Sequence, residues 1–285
     1  MPDVPVWPAC DEACLFCSNP EPGARPPKSE HSLEALIRRL GGYKAGLERF
    51  VKFNDARDAL TLTGGEPTLH PRFVELLAAL RRQFPAALIR LLTHGRTLSG
   101  ALFADRVLRA AGEPFEVAVN LSGPGRGLER GLDGTANLLR LRGRRQSVVI
   151  RTVLTVPALE NLGALADLLA LRLRGLDGWA ILFPELEGRA AREPAVHGLR
   201  MTGAARVLGG LLARLERAAP VSLYHFPSCA LSPALRGRAR ATLDPVKVVF
   251  RPACGGCRLR AGCVGIHKSY ARAVGTAEFP ARALL

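Results

Sequence analysis

The segment CDEACLFC, Cys10 to Cys17, sets three cysteines at C-x3-C-x2-C spacing on one short stretch of chain. Thiols that close cannot all be satisfied by ordinary hairpin disulfides. Three thiolates on one loop suit a cubane [4Fe-4S] cluster, which normally takes four protein ligands. A three-ligand set leaves one iron open to a substrate or cofactor. A zinc site completed by a fourth ligand from elsewhere is the competing use, because zinc takes four N or S ligands in a closed tetrahedron. Zinc knuckles more often use paired C-x2-C units.

Working outward, an apolar, β-branched run at Ala59–Thr63 feeds directly into Gly64-Gly65-Glu66-Pro67 and then a helix-like pattern. Alone, the glycine pair reads as a turn. Similar short runs recur at Val4–Trp7, Leu88–Thr93, Phe115–Leu121, Ser147–Leu154 and Trp179–Phe183. Between them, Ser32–Leu40, Arg72–Arg82, Leu98–Ala111, Gly134–Leu141 and Leu159–Leu173 carry apolar residues at three- and four-residue spacing, and Arg206–Arg217 adds a later helix. A Pro- and Gly-rich loop, Asn19–Ser29, separates the cysteines from the first helix. This alternation predicts an α/β fold of β-α units around a parallel sheet, with ligand-binding residues at the carboxyl ends of the strands.

The 285 residues suffice for a full core, and 48% hydrophobic content fits a globular chain. No stretch approaches the ~20 apolar residues of a membrane helix. The N-terminus has no signal-peptide pattern. Seven cysteines grouped as three and four suggest metal ligation in a reducing compartment, so a cytoplasmic location is expected. The net charge of +15 comes mostly from arginines scattered along helices without interleaved aromatic residues, which predicts solvated helix faces over a nucleic-acid surface.

The cysteine motif, with Phe16 before its third cysteine, and Leu62-Thr-Gly-Gly-Glu66-Pro67 together resemble the signatures of the radical S-adenosylmethionine (SAM) enzymes. The resemblance implies a partial (β/α)6 barrel. It implies a [4Fe-4S] cluster on Cys10, Cys14 and Cys17 that binds S-adenosyl-L-methionine and cleaves it reductively to a 5′-deoxyadenosyl radical. Phe16, Gly64, Gly65, Glu66 and Pro67 would then contact SAM, with Glu66 and nearby backbone holding its amino group. Thr93 and His94 match the place where relatives often have Thr-Asn near the ribose. Asn120, Ser122 and Arg151 fall where relatives put other polar contacts. His94 stands for the commoner Asn, and proton transfer or the capping of a turn are further roles for it. A surface arginine on a strand end is the plain alternative for Arg151.

Past residue 218 the composition changes. The tail holds Cys229, Cys254, Cys257 and Cys263, and its C-x2-C-x5-C core resembles the SPASM and Twitch extensions that carry auxiliary [4Fe-4S] clusters. A four-cysteine zinc site is the alternative use. The expected division is therefore 1–218, barrel, and 219–285, auxiliary-cluster region, with Tyr270 packing the tail against the barrel.

Short phrases also resemble peptide maturases of the His-Xaa-Ser system type: Cys17-Ser-Asn-Pro20, Thr63–Thr68, Leu92-Thr-His-Gly-Arg96 and Tyr224-His-Phe-Pro-Ser-Cys229. This implies oxidative modification of a ribosomally made peptide. Cys10 lies too near the start for the winged-helix leader-binding domain of many such enzymes, so a separate recognition protein, or direct binding of the peptide to the barrel mouth, is expected. An electron donor such as flavodoxin or ferredoxin is implied too. Competing expectations are a dehydrogenase or cyclase acting on a small molecule, and a non-enzymatic iron–sulfur protein.

Overall fold

The computed structural model describes residues 3–19, 28–45, 58–123 and 127–280. Eight parallel strands form one sheet in the order of the chain: β1 Asp3–Trp7, β2 Ala59–Gly64, β3 Leu88–Thr93, β4 Phe115–Asn120, β5 Gln146–Val153, β6 Gly178–Leu182, β7 Val221–Tyr224 and β8 Ala239–Arg240. Strands β1 and β8 do not pair, so the sheet is an open, partial barrel. Helices cover its outer face: α1 Leu33–Lys44, α2 Phe73–Gln83, α3 Ala101–Ala111, α4 Leu128–Leu141, α5 Val156–Glu160, α6 Leu162–Arg172, α7 Pro194–His197 and α8 Met201–Glu216.

The two-residue alternation of strands sorts side chains between the faces. Val4, Val6, Ile89, Leu91, Val117, Val119, Val148, Ile150, Trp179 and Ile181 point to the helices and are fully buried. The intervening positions, among them Arg90, Glu116, Arg151 and Tyr224, face the concave side, where Arg90 Nε pairs with Glu116 at 2.5 Å. Buried polar groups on the outer face are satisfied: Trp179 Nε1 donates to Thr152 Oγ1, whose hydroxyl donates to the Leu121 carbonyl.

The partial α/β barrel is as expected, with differences in detail. Two further strands, β7 and β8, extend the six expected ones. The pattern at Leu98–Ala111 is a 3-10 turn, Arg96–Ser99, followed after Gly100 by α3, and Leu159–Leu173 divides into α5 and α6 at Asn161. Most of the Asn19–Ser29 loop lies outside the described residues. The sheet also crosses the expected division at residue 218, since β7 and β8 belong to the later segment. Beyond them come α9 Pro233–Arg236, a two-stranded antiparallel pair of β9 Val248–Val249 with β10 Ile266–His267, and α10 Lys268–Ala273. Tyr270 on α10 is fully buried, edge-on to Phe183 with ring centres 5.3 Å apart, which packs this segment against the end of β6. Among the described residues, no helix is long and apolar enough to cross a membrane.

Candidate active site

The cysteine loop follows β1 and continues its ladder. Gly65 N–H donates to the Trp7 carbonyl at 2.7 Å and Glu66 N–H to that of Ala9 at 2.8 Å. A Cβ on Gly64 would sit 2.5 Å from the Trp7 oxygen, and one on Gly65 would sit 2.2 Å from the Ala9 oxygen. The glycine pair therefore admits the main chain that leads into Cys10, and Gly64 also has a φ of +132° that side chains resist. On its other side the loop is held by the segment after β6. Arg189 donates to the Ala13 carbonyl at 2.8 Å, and Ala190 N–H to that of Cys17 at 3.1 Å. Asn19 Nδ2 closes the circle on the Gly64 carbonyl at 3.0 Å.

Two acidic residues inside the motif fasten it to β3. Arg96 pairs with Glu12 and, at 3.0 Å, with Asp11. His94 Nδ1 accepts from Arg96 N–H, which leaves its Nε2–H to donate to Asp11 at 2.8 Å. His94 therefore ties a turn and the cysteine loop together.

Glu66 is 2% exposed and its carboxylate is heavily engaged. It accepts from Thr68 N–H, the Thr68 and Thr93 hydroxyls and His94 N–H, at 2.5 to 3.0 Å. It thus joins the ends of β2 and β3. Ser122 does the same for β4 and β5, donating to Asn120 Oδ1 and accepting from Val153 N–H. Pro67 is buried in the turn after β2 and lines neither of the cavities described next.

These strand ends enclose a cavity of about 240 Å³. Its walls bring together Cys10, Cys14, Phe16 and Cys17 with Gly64, Gly65, Glu66, Thr93, His94 and Arg151. A neighbouring hollow of about 160 Å³ shares Cys14, Phe16 and His94 and adds Ser122. Burial pushes the Cys10 thiol up to about 11 and Cys14 to about 12. The Arg151 guanidinium has no hydrogen bond or ion pair among the described residues. Burial lowers its proton affinity, which the Tyr224 hydroxyl opposes. A half-buried guanidinium facing a cavity without a partner is an anion-binding group.

The far wall is formed by Glu185 after β6 and His225 after β7, neither singled out from sequence. Burial alone would raise the Glu185 carboxyl. The His267 ring, 3.4 Å away, and Lys247 Nζ, 2.7 Å away, outweigh it and hold it at about 2. Glu185, Glu187 and His267 bring three potential metal-ligand atoms together. Two features argue against a metal there. Lys247 already supplies the positive charge, and His267 Nδ1 accepts from Ser269 N–H, so its Nε2 carries the proton.

The second cysteine group is also assembled. Cys229, Cys254, Cys257 and Cys263 line one small cavity of about 40 Å³, walled by Val249, Phe250, Ile266 and Phe279. Ser228 and Gly265 N–H groups point at Cys263 Sγ, at 3.3 and 3.4 Å, as suits a metal-bound thiolate. The site residues that sequence missed, Glu12, Arg96, Glu185, Arg189 and His225, act across the fold. The local signals were the acidic pair inside the cysteine motif, Arg96 at the end of one quoted phrase and His225 inside another.

The family model of the radical SAM superfamily matches residues 4–156. Among solved structures, the chain is similar to Streptococcus suis SuiB bound to precursor peptide SuiA, at 13% identity and TM-score 0.57, over 77% of this chain and 48% of that one. It is similar to SuiB bound to S-adenosylmethionine at 13% identity and TM-score 0.58, over 78% and 49%. It also resembles SuiB without a named ligand, at 14% identity and TM-score 0.56, over 78% and 48%. Identity this low speaks for the fold alone, and the chain spans about half the length of these structures. No curated protein matches it.

Proposed function

The chain belongs to the radical SAM superfamily, and from this we propose that it oxidatively modifies a peptide in the strand-end cavity. The observation that carries the reading is the convergence of three thiols, the Gly64-Gly65-Glu66 corner and the unpaired Arg151 on one cavity. The donor set fits a cluster with one open iron. Cys10, Cys14 and Cys17 would hold it, releasing their thiol protons as it loads. When bound, it supplies the electron that cleaves SAM to methionine and the hydrogen-abstracting 5′-deoxyadenosyl radical.

The chain's own residues hold and orient SAM. Arg151 suits its carboxylate. Gly64, Gly65, Thr93, His94 and Ser122 form the surrounding walls, with Phe16 across from them. Glu66 fixes two strand ends and keeps one Oε2 lone pair for the amino group, and Pro67 shapes the turn behind it. Arg96 and Arg189 keep the cysteine loop in place.

We assign residues 1–218 the SAM chemistry and residues 219–285 a Twitch-like auxiliary [4Fe-4S] site on Cys229, Cys254, Cys257 and Cys263. Four thiols leave no iron for substrate, so this site suits electron transfer. The peptide substrate is supported by the phrases resembling His-Xaa-Ser maturases and by the fold likeness to SuiB, which is described with a bound precursor peptide. The same reading assigns a flavodoxin or ferredoxin as electron donor and a reducing, cytoplasmic compartment.

The test is anaerobic reconstitution followed by iron counting and assay of 5′-deoxyadenosine. Synthetic peptides encoded by short reading frames beside the gene serve as substrates. About eight irons, deoxyadenosine and a mass change in a peptide are expected. Iron without deoxyadenosine, or zinc in place of iron, overturns the reading.

A further inference from the structure

His225 stands out on three independent counts. It is the one non-glycine among the described residues with a left-handed backbone, at φ +69°. Side chains avoid that region, and where a fold enforces it, the strain often marks a functional position. The conformation turns the chain back at the end of β7, where Phe183 N–H donates to the Tyr224 carbonyl at 3.1 Å.

Second, the ring has a fixed tautomer. Nδ1 lies 2.9 Å from the Phe183 carbonyl oxygen, which can only accept, so Nδ1 carries the proton. Nε2 is left with a lone pair and has no partner among the described residues. Third, His225 lines the same cavity as Cys10, Cys14 and Cys17.

The charged and titratable groups around it come from four elements. Glu185 follows β6, Arg151 lies on β5, His267 ends β10 with its ring centre 6.4 Å away, and Lys247 precedes β9 and neutralises Glu185. Burial is the largest influence and holds His225 below the ordinary histidine range. Glu185 opposes this, while His267 and Arg151 add to it. At neutral pH the ring is therefore an uncharged base.

We propose that His225 accepts a proton through Nε2 from an N–H or O–H group of the substrate bound in this cavity. The inference rests on the cavity being the active site. The step is a proton transfer alone. The substrate N–H or O–H bond breaks heterolytically, its electron pair stays on nitrogen or oxygen, and the proton forms Nε2–H. The ring becomes an imidazolium beside Glu185, and no electron passes through it. A radical formed at a neighbouring carbon makes such a group more acidic, so the proton would leave after hydrogen abstraction. The substrate class is one with an N–H or O–H next to the attacked carbon, as in a peptide backbone or a Ser or Thr side chain.

The test has two arms on the full chain. In the first, nitrogen-15 NMR of the histidine-labelled protein reads the tautomer, and diethyl pyrocarbonate labelling, located by mass spectrometry, reads access to Nε2. A neutral ring with Nδ1–H and ready ethoxycarbonylation at Nε2 are expected. The opposite tautomer, or a cationic ring at pH 7, overturns the proposal.

The second arm is His225→Asn. Asn tolerates positive φ and keeps a side-chain N–H for the Phe183 carbonyl, but has no counterpart of Nε2. With the flanking-gene peptides as substrates, modified peptide per 5′-deoxyadenosine should fall about a hundredfold. An unchanged ratio overturns the proposal. A wild-type chain that makes deoxyadenosine yet modifies no peptide fails the peptide reading only, and the first arm then decides His225 by itself.

Discussion

The Arg96 guanidinium lies 3.0 Å from the Asp11 carboxylate and pairs with Glu12 as well, binding the end of β3 to the loop that carries three cysteines. The loop has little regular structure of its own, so these long-range ties set the positions of its sulfurs. Arg96→Ala should lower iron affinity at the first site about tenfold, as loss of supporting contacts around a metal does elsewhere. Iron at the tail cysteines should be retained. Iron titration of Arg96→Ala in a Cys257→Ala background isolates the first site, and an unchanged affinity there refutes the clamp.

The two cysteine groups should separate cleanly. Cys14→Ala should abolish 5′-deoxyadenosine formation. Cys257→Ala should lose about four irons yet still cleave SAM. Iron counts and chromatography of the nucleoside check both, and deoxyadenosine from Cys14→Ala would sink the assignment.

Glu66→Ala removes the acceptor for four donors at the buried ends of β2 and β3. Orphaned buried donors make this costly, on the order of 3 kcal/mol. For a domain of this size that corresponds to a fall in Tm on the order of 6–12 °C. Calorimetry of the metal-free chain is the check. A change below about 2 °C would mean that the network adds little stability.

Acid should weaken the fold through Glu185. Its carboxyl ordinarily titrates near 4.5 and is held at about 2. The unfolded chain therefore binds this proton first as pH drops, so the stability it contributes is complete above 4.5 and is lost as pH falls through about 2. His70 and His225 act in the same direction at higher pH. Burial lowers both below 6.5, so the unfolded chain gains protons there that the fold resists. Urea midpoints from pH 7 down to 3 should decline in both ranges, and Glu185→Gln should flatten the lower one.

What could be read from sequence follows the range of each interaction. Short apolar or β-branched runs announce β1 to β6 because burial of strand residues is a local demand on the sequence. β7 and β8, with four and two residues, are too short to show a period and exist through the pairing of β7 with β6 and of β8 with β7. The helix at Leu98–Ala111 reads as continuous because Gly100 breaks its backbone without disturbing its apolar spacing. Within the site, contiguous motifs were legible. The side chains that brace them were not, since Arg96 meets Glu12 across 84 residues and Arg189 meets Ala13 across 176. Nothing in local spacing records such meetings.

Those separations also set a timetable. The ribosome makes Cys10, Cys14 and Cys17 well before Arg189 and Ala190, which grip their loop. Until residue 190 has emerged and β6 has joined the sheet, the early thiols have the ties to β2 and β3 but lack the grip on their other side. Metal delivered during synthesis would meet loose cysteines instead of a shaped receptacle. Loading thus belongs after residue 190 has been made, and a truncation before it would keep all three thiols of the motif while losing this grip on their loop.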